Sequence, residues 1–88
     1  MVDNLIVTIV TPEKEVYNGK AAMVVLPAFK GKMGVLPRHM PMMVALRSGE
    51  VKIKTDVEVK SYLIDGGLAE VTGETVKVIA NTAENNRQ

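Results

Sequence analysis

Nucleophilic catalysis is the first chemistry to consider, because the chain contains one histidine and two serines. A serine hydrolase would use His39 as the general base and Ser48 or Ser61 as the nucleophile. Neither serine lies in a G-x-S-x-G elbow, and no cysteine is present to take the place of serine. We therefore expect both serines to lie in turns or on a strand, and we expect no active site of this kind.

The sequence also disfavours metal binding and acid–base chemistry, because it has few residues of the types that these functions need. One histidine and no cysteine leave carboxylates as the ligands, and the Asp and Glu residues show no ligand-loop spacing. Asp56 and Glu58 lie two apart and alternate with lysines, which is typical of a solvated strand face. Gly31 and Gly34 fit neither phosphate-loop pattern, because Leu36-Pro37 follows them instead of a helix. We expect no metal, no cofactor and no phosphate site.

One stretch, residues 26–43 (LPAFKGKMGVLPRHMPMM), has the character of a binding surface. It contains the only histidine, three of the four prolines, four of the six methionines and no acidic residue. Pro37 and Pro41 stiffen the backbone on both sides of His39, and a stiff loop loses less entropy on binding. Its methionines exceed what one strand face can bury, so some should meet a partner. The cations in and beside it, which are alternatively ordinary solvated charges, are Lys30, Lys32, Arg38 and Arg47.

The rest of the chain must position this stretch, and its composition predicts one small folded domain. The 88 residues are 47% hydrophobic and 24% charged, with a net charge of +1 and no cysteine. No 18-residue apolar run and no signal-peptide pattern is present. The near-neutral charge, with two tyrosines and one phenylalanine, argues against nucleic acid as a partner.

Period-two alternation predicts an all-β fold. In residues 51–60 (VKIKTDVEVK) apolar and charged residues alternate, which predicts two half-buried strands joined by a turn near Thr55-Asp56. Short valine-rich runs recur as LIVTIV, AAMVVLP, SYLID and VKVIA. We find no convincing helix, since MMVALR is compatible with a strand or with a single helical turn. Several short strands predict a sandwich or barrel, with residues 81–88 as a frayed or solvated tail.

Glycine pairs punctuate these strands. We predict turns at Asn18-Gly19 and Gly66-Gly67, and a type II′ turn in which Gly73 takes the first central position. Glycine is favoured there because this position needs positive φ, at which a side chain would clash. The predicted β-sandwich domain covers residues 1–83, and a polar tail covers residues 84–88.

The order of these segments resembles a known family. The segments IVTPEKEVYNGKAAMVVLP, GKMGVLPRHMP, LRSGEVKI and IDGGLAEVTGETVKVIANTA follow one another as in the amino-terminal domain of the epsilon subunit of F-type ATP synthases, called delta in mitochondria. The resemblance runs from about Leu5 to Ala83, and its most specific part is G-x-x-G-V-L-P-x-H-x-P over residues 31–41. It implies a flattened β-sandwich of about ten short strands with no active site of its own.

The resemblance also implies a role and partners. In that family the domain belongs to the central stalk, or rotor, and couples the gamma subunit to the polar loops of the membrane-embedded c-ring in proton-driven ATP synthesis. The segment that matches the c-ring loop is Lys30, Gly31, Lys32 and Met33. The residues that match the region near gamma are His39, Met40, Pro41, Met42, Thr11 and Pro12. We therefore expect a non-catalytic subunit, peripheral to the cytoplasmic face of the bacterial inner membrane, which it meets only through the complex.

Three departures from the family pattern matter. Leu26-Pro27-Ala28 replaces the common LPG, and Gly66-Gly67-Leu68 replaces GGF or GGI; both changes are tolerable. Lys30 and Lys32 are basic where the family's c-ring loop is often acidic, so we expect the polarity of that contact to be reversed or rebuilt. The sequence stops at Gln88, so the family's carboxy-terminal helical hairpin, its inhibitory role and its nucleotide binding are expected to be absent, whether the natural subunit is short or the chain has been cut.

The alternative interpretation is a free-standing β-sandwich module that binds an anionic small ligand or a glycan through the basic loop. Glycan-binding modules generally expose aromatic side chains, and this chain has no tryptophan. Saturable ligand binding that is lost when Lys30 or Lys32 is replaced would favour this alternative.

Overall fold

The computed structural model describes residues 4–86 and contains, within that range, ten β-strands and no helix. In chain order the strands are β1 Leu5–Val10, β2 Glu15–Ala21, β3 Met23–Ala28, β4 Gly31–Val35, β5 Met42–Leu46, β6 Gly49–Lys54, β7 Val59–Ile64, β8 Gly67–Val71, β9 Thr75–Ile79 and β10 Ala83–Asn85. The predicted all-β fold of about ten short strands is confirmed. Within MMVALR, Met42–Leu46 forms strand β5, in which Val44 and Leu46 alternate inward as on a half-buried strand.

The strands form one continuous sheet that folds into two five-stranded halves. The first half has the order β4-β3-β6-β7-β10, and the second has the order β5-β8-β9-β1-β2. A single residue pair, Ala28 with Leu46, joins them. Beside it, the amide of Arg47 donates to the carbonyl oxygen of Pro27 at 2.9 Å. Strand β3 therefore belongs to both halves, which lets the sheet fold over one core as the predicted sandwich does.

The core lies between the inner faces of the two halves. Alternate residues of each strand point inward, and within residues 4–86 no polar or charged residue is buried. On the side of the sandwich away from Ala28, Tyr17 of β2 packs against Tyr62 of β7 with 5.5 Å between ring centroids, and Lys60 Nζ lies 5.2 Å from the Tyr17 ring. The bulkiest fully buried side chains are Leu5, Ile9, Leu26 and Ile53.

The hairpin of β6 and β7 confirms a turn near Thr55-Asp56 but corrects the predicted burial. Ile53 pairs with Lys60, so inward positions are odd-numbered in β6 and even-numbered in β7. Partners in an antiparallel pair share one face, and the alternation therefore changes phase across the turn. As a result Val57 and Val59, which the continuous alternation places inward, are 89% and 59% exposed.

The predicted turn at Asn18-Gly19 is wrong, because both residues lie inside β2. Asn18 pairs with Thr8 and Gly19 with Val7 of β1. A Cβ at Gly19 would lie 2.7 Å from the Tyr17 hydroxyl, so this glycine makes room for a neighbouring tyrosine and does not form a turn. The pairing of β1 with β2 thus outweighs the local tendency of Asn-Gly to form a turn.

Of the two other predicted glycine turns, the one at Gly66-Gly67 is confirmed and the one at Gly73 is of a different type. Gly66 and Gly67 adopt φ of +121° and +140°, as expected of a glycine turn. Gly73 does not have positive φ, and the type II′ prediction is wrong. The hydroxyl oxygen of Thr72 instead accepts hydrogen bonds from the amides of Glu74 and Thr75, which closes the turn without a left-handed residue.

The carboxy-terminal residues differ from the predicted frayed tail. Residues 83–85 form β10, which pairs with β7, and the Asn86 amide donates to the carbonyl oxygen of Ser61 at 2.8 Å. Glu50 reinforces this contact by accepting hydrogen bonds from the Ser61 hydroxyl and from the Asn86 side-chain amide. Polar residues stay ordered here because their backbone groups are paired, although only Ala83 contributes apolar surface. Residues 87 and 88 of the predicted tail, and residues 1–3 of the predicted domain, lie outside the described residues.

Replacing Gly67 with alanine should destabilise the fold more than the same change at Gly31. Both glycines have positive φ, which strains any other residue by about 1–3 kcal/mol. A Cβ at Gly67 would also lie 2.0 Å from the carbonyl oxygen of Ile79, whereas a Cβ at Gly31 meets nothing within 4 Å. Urea unfolding of both variants measures the difference, and equal losses would contradict the proposed clash.

Acid should weaken the attachment of β10 through Glu50. The hydrogen bond from Ser61, followed by that from Asn86, lowers the pKa of the Glu50 carboxyl below its ordinary value. A lowered folded-state pKa contributes stability that is complete above the unfolded-chain value of about 4.3 and is lost as pH falls through the lower folded-state value.

The measurement is the free energy of unfolding of the parent chain and of Glu50→Gln between neutral and acidic pH. The parent should lose stability below the ordinary carboxyl pKa, and part of that loss should be missing in Glu50→Gln. Glu84→Gln, at an exposed carboxylate of β10, serves as the control and should retain the parent's acid dependence. Identical pH profiles for all three proteins would contradict this role of Glu50.

Candidate functional site

The β3–β4 hairpin forms one wall of an open groove. Phe29 and Lys30 make its two-residue turn, and Gly31 with φ of +132° begins β4. Because β3 joins the second half at Ala28, this hairpin lies beside β5. The groove has a volume of about 470 Å³ and is lined by residues 28–33 and 42–45. Phe29 is 68% exposed and Met43 57% exposed, so the groove presents apolar side chains to solvent.

A second part of the surface is the loop 36–41, which is tied to the β8–β9 turn. The Arg38 amide donates to the carbonyl oxygen of Gly73 at 2.7 Å, and Arg38 has the left-handed φ of 68°. In the same loop, Met40 is 76% exposed. Beyond the loop, an open cavity lined by Pro41, Met42 and Met43 continues the groove toward β8.

His39 and the two serines do not form a catalytic group. The Nδ1–H of His39 donates to the carbonyl oxygen of Met40 at 2.8 Å. The Ser48 hydroxyl donates to the carbonyl oxygen of Ile64, and the Ser61 hydroxyl donates to Glu50. Neither serine is hydrogen-bonded to His39, so the arrangement lacks the nucleophile–base contact of a triad.

The outer face of the second half carries a row of apolar side chains, which we term the apolar band. Ala45, Leu68, Ile79 and Val10 are successive cross-strand partners on β5, β8, β9 and β1. Partners share a face, so their side chains lie side by side across four strands. Ile79 is 40% exposed, and an adjoining cavity of about 400 Å³ is lined by Thr11, Pro12, Leu68 and Ile79 among others.

The predicted site residues all lie along this surface, with two segments sharing one groove. Lys30, Gly31, Lys32 and Met33 line the groove together with Met42. Thr11 and Pro12 lie at the far end of the apolar band, beyond Val10. His39, Met40 and Pro41 form the loop beside the groove, where His39 is half-buried and the other two are exposed. The contacts of these residues with other subunits stay predictions.

Sequence reasoning did not single out the four residues of the apolar band, nor Phe29 within the binding stretch 26–43. Leu68 and Ile79 follow the outward phase of strands whose inward residues are apolar as well. An apolar residue in the outward phase was the available signal, since such positions normally carry polar side chains. Phe29 was visible as the only phenylalanine next to a turn, where the chain has few ways to bury it.

Within the part of the chain that the structure describes, the surface has few of the features that are typical of an active site. No group of three or more His, Cys, Asp or Glu side chains is placed to hold a metal ion there. No helix in residues 4–86 is long and apolar enough to cross a lipid bilayer. What the surface does provide is exposed methionine and phenylalanine, which are common anchors in protein interfaces.

The fold and this surface define a small β-sandwich domain whose outer face is suited to contact with other proteins. The family model described as "ATP synthase, Delta/Epsilon chain, beta-sandwich domain" matches residues 4–86. The chain belongs to this family. The resemblance found in the sequence is thereby confirmed.

Individual relatives agree with this assignment. The chain is 45% identical over 80 residues to the "ATP synthase epsilon chain" of Brevibacillus brevis, covering 89% of this chain and 60% of that relative. It is 41% identical over 81 residues to the "ATP synthase epsilon chain, chloroplastic" of Tetradesmus obliquus, covering 92% of this chain and 60% of the relative. The chain thus spans about three-fifths of the length of these relatives.

Solved structures share the fold. A chain in the cryo-EM structure of the Euglena gracilis mitochondrial ATP synthase, described as "OSCP/F1/c-ring", matches with a TM-score of 0.86 and 22% identity, covering 93% of this chain and 53% of its own. A chain of the Tetrahymena thermophila mitochondrial ATP synthase, described as "central stalk/cring", matches with a TM-score of 0.76 and 22% identity, covering 90% and 64%. At this identity the likeness establishes the fold alone.

The exposed wall of the groove should be dispensable for folding. Replacing Phe29 with serine should change the free energy of unfolding by no more than about 0.5 kcal/mol, because its side chain is largely solvated already. Leu26→Ala, three residues earlier and fully buried, should lower it by about 2–5 kcal/mol. Chemical denaturation measures both. A large loss for Phe29→Ser would place this residue in the core and remove it from the interaction surface.

Proposed function

We propose that this chain is a non-catalytic subunit of the central rotor of an F-type ATP synthase, where it couples the gamma subunit to the c-ring in proton-driven ATP synthesis. The proposal draws on the family of the β-sandwich domain, and on relatives that are named ATP synthase epsilon chain. The observation that carries it is a continuous, partly apolar surface that runs from the β3–β4 hairpin to the end of the apolar band. A surface of this kind is stable in water chiefly when other subunits cover part of it.

The partners follow from the two ends of this surface. The similar folds occur in assemblies described as containing a c-ring, and the family resemblance implies gamma as the second partner. We assign the basic hairpin, residues 30–33, to the polar loops of the c-ring. We assign the loop segment 39–42, together with Thr11 and Pro12, to gamma. Met42 lines the same groove as the hairpin, so the two contacts would be neighbours.

A rigid body suits a coupling role. The ladders of β1–β2, β6–β7 and β8–β9 each span at least four residue pairs, and one core joins both halves. Such a body would resist local rearrangement under torque, since close-packed interiors have low compressibility and transmit strain. The hydroxyls of Ser48 and Ser61 donate to groups other than His39, which favours a non-catalytic role.

The location follows from the assembly. A subunit that binds the polar loops of a c-ring lies at the membrane surface and meets the bilayer only through the complex. For a bacterial complex this is the cytoplasmic face of the inner membrane, where the chain would be a peripheral protein. The bacterial relatives are compatible with this arrangement.

Complex formation with the cognate gamma subunit tests the proposal. The folded chain should co-purify with folded gamma, and Met42→Asp should weaken that complex by about tenfold or more, because a buried unpaired carboxylate is unfavourable in an interface. Val57→Asp supplies a matched control: Val57 is 89% exposed in the β6–β7 turn, outside the groove and the apolar band, and the change should leave binding as it was.

Two results would count against the proposal. The first is absence of any complex between the two folded proteins. The second is that the chain does not bind gamma but binds a small anion or glycan saturably through its basic loop. That result would favour the alternative, a free-standing binding module. Circular dichroism of each variant ensures that lost binding is not lost folding.

A further inference from the structure

The β3–β4 hairpin carries positively charged side chains without acidic residues nearby in the sequence. Between Phe29 and Gly49 the chain has no acidic residue, and the cations Lys30, Lys32 and Arg47 fall within that interval. None of these three forms an ion pair within residues 4–86. Both lysines and Arg47 are exposed, so their charges are available to a partner.

Two cavities meet at this hairpin. On one side lies the groove with Phe29, Met33 and Met43. On the other side lies a cavity of about 290 Å³ lined by Lys32, Arg47, Ser48 and Glu50 among others. Ala28, Gly31 and Lys32 line both, so the hairpin tip is a ridge between the two cavities, with Phe29 on one flank and Arg47 on the other.

The one acid of the cationic cavity is already engaged. Glu50 accepts hydrogen bonds from Ser61 and Asn86, and its carboxylate lies 3.7 Å from Lys52 Nζ. Lys32 also attracts Glu50, but this carboxylate is shared with Ser61, Asn86 and Lys52, and no acidic residue pairs with Arg47 within residues 4–86. A partner that supplies a carboxylate at this position would gain charge-assisted hydrogen bonds, and a cationic partner would be repelled.

We infer that the occupant of this hairpin is a protein loop that carries an acidic side chain next to an apolar one. The carboxylate lies against Lys32 and Arg47, which line the same cavity, with Lys30 at the neighbouring hairpin tip, and the apolar neighbour packs into the groove beside Phe29. The choice of occupant rests on charge complementarity. Given the proposed function, on which this inference depends, the loop is the polar loop of the c subunit in the same organism, and that loop is acidic.

The test uses the preformed complex of the chain with gamma and the c-ring purified in detergent from the same organism. Lys30→Glu with Lys32→Glu should reduce capture of the c-ring about tenfold or more at low salt, as expected when attraction becomes repulsion. The matched control is Lys20→Glu with Lys54→Glu, which makes the same change in net charge at exposed strand positions elsewhere. The control should keep capture within about twofold of the parent.

Salt and apolar variants separate the two flanks. Raising NaCl from about 50 mM to about 300 mM should weaken capture by the parent and have less effect on Lys30→Gln with Lys32→Gln. Phe29→Ser should weaken capture while the salt dependence stays that of the parent. Replacing the acidic residue of the c-subunit loop with lysine should restore binding to the Lys30→Glu, Lys32→Glu protein.

The outcomes distinguish this inference from the proposed function. If the parent complex captures the c-ring and charge reversal leaves capture equal or stronger, the acidic-loop inference is overturned while the rotor role stands. Capture of gamma without any capture of the c-ring also overturns it. If the chain binds neither gamma nor the c-ring, the proposed function itself fails.

Discussion

The structure depends on one strand that hydrogen-bonds to two different neighbours along the same edge. The first part of β3 pairs with β6, and its last residue, Ala28, pairs with Leu46 of β5. Pro27 lies between these two pairings and has no amide hydrogen to donate, although its carbonyl oxygen accepts from Arg47. Transferring the ladder at this point folds the sheet over, and 88 residues can then enclose a core without any helix in the described range.

The same corner creates the functional surface. After Ala28 the chain must reverse, and the turn at Phe29 and Lys30 projects next to β5 because β3 has just joined it. The groove therefore has walls from both halves of the sheet, and residues nine or more apart in sequence line it together. From β5 the cross-strand partners Leu68, Ile79 and Val10 extend the surface over three further strands. The corner at Ala28 thus both closes the core and positions the surface that is available to partners.

Strand periodicity was enough to predict most of the fold, because inward and outward residues alternate with a period of two whichever strands lie beside them. It failed where pairing overrode local signals. Asn18-Gly19 resembles a hairpin turn, yet β1 holds both residues in β2. Val57 and Val59 continue an alternation that the β6–β7 register reverses. The polar residues after Ala83 lack apolar content, and only the pairing with β7 and the contacts of Asn86 order them.

For the site, the amino-acid sequence by itself determined which side chains are available: a proline-stiffened loop, surplus methionines, and cations without nearby acids. These depend on local covalent structure and composition, which are visible in one dimension. The tertiary structure alone decided that Lys32 and Met42 share a groove, that Leu68 and Ile79 form a row with Ala45, and that Glu50 is already engaged. Each of these depends on register and on the corner at Ala28, where a shift of one residue would turn every outward side chain inward.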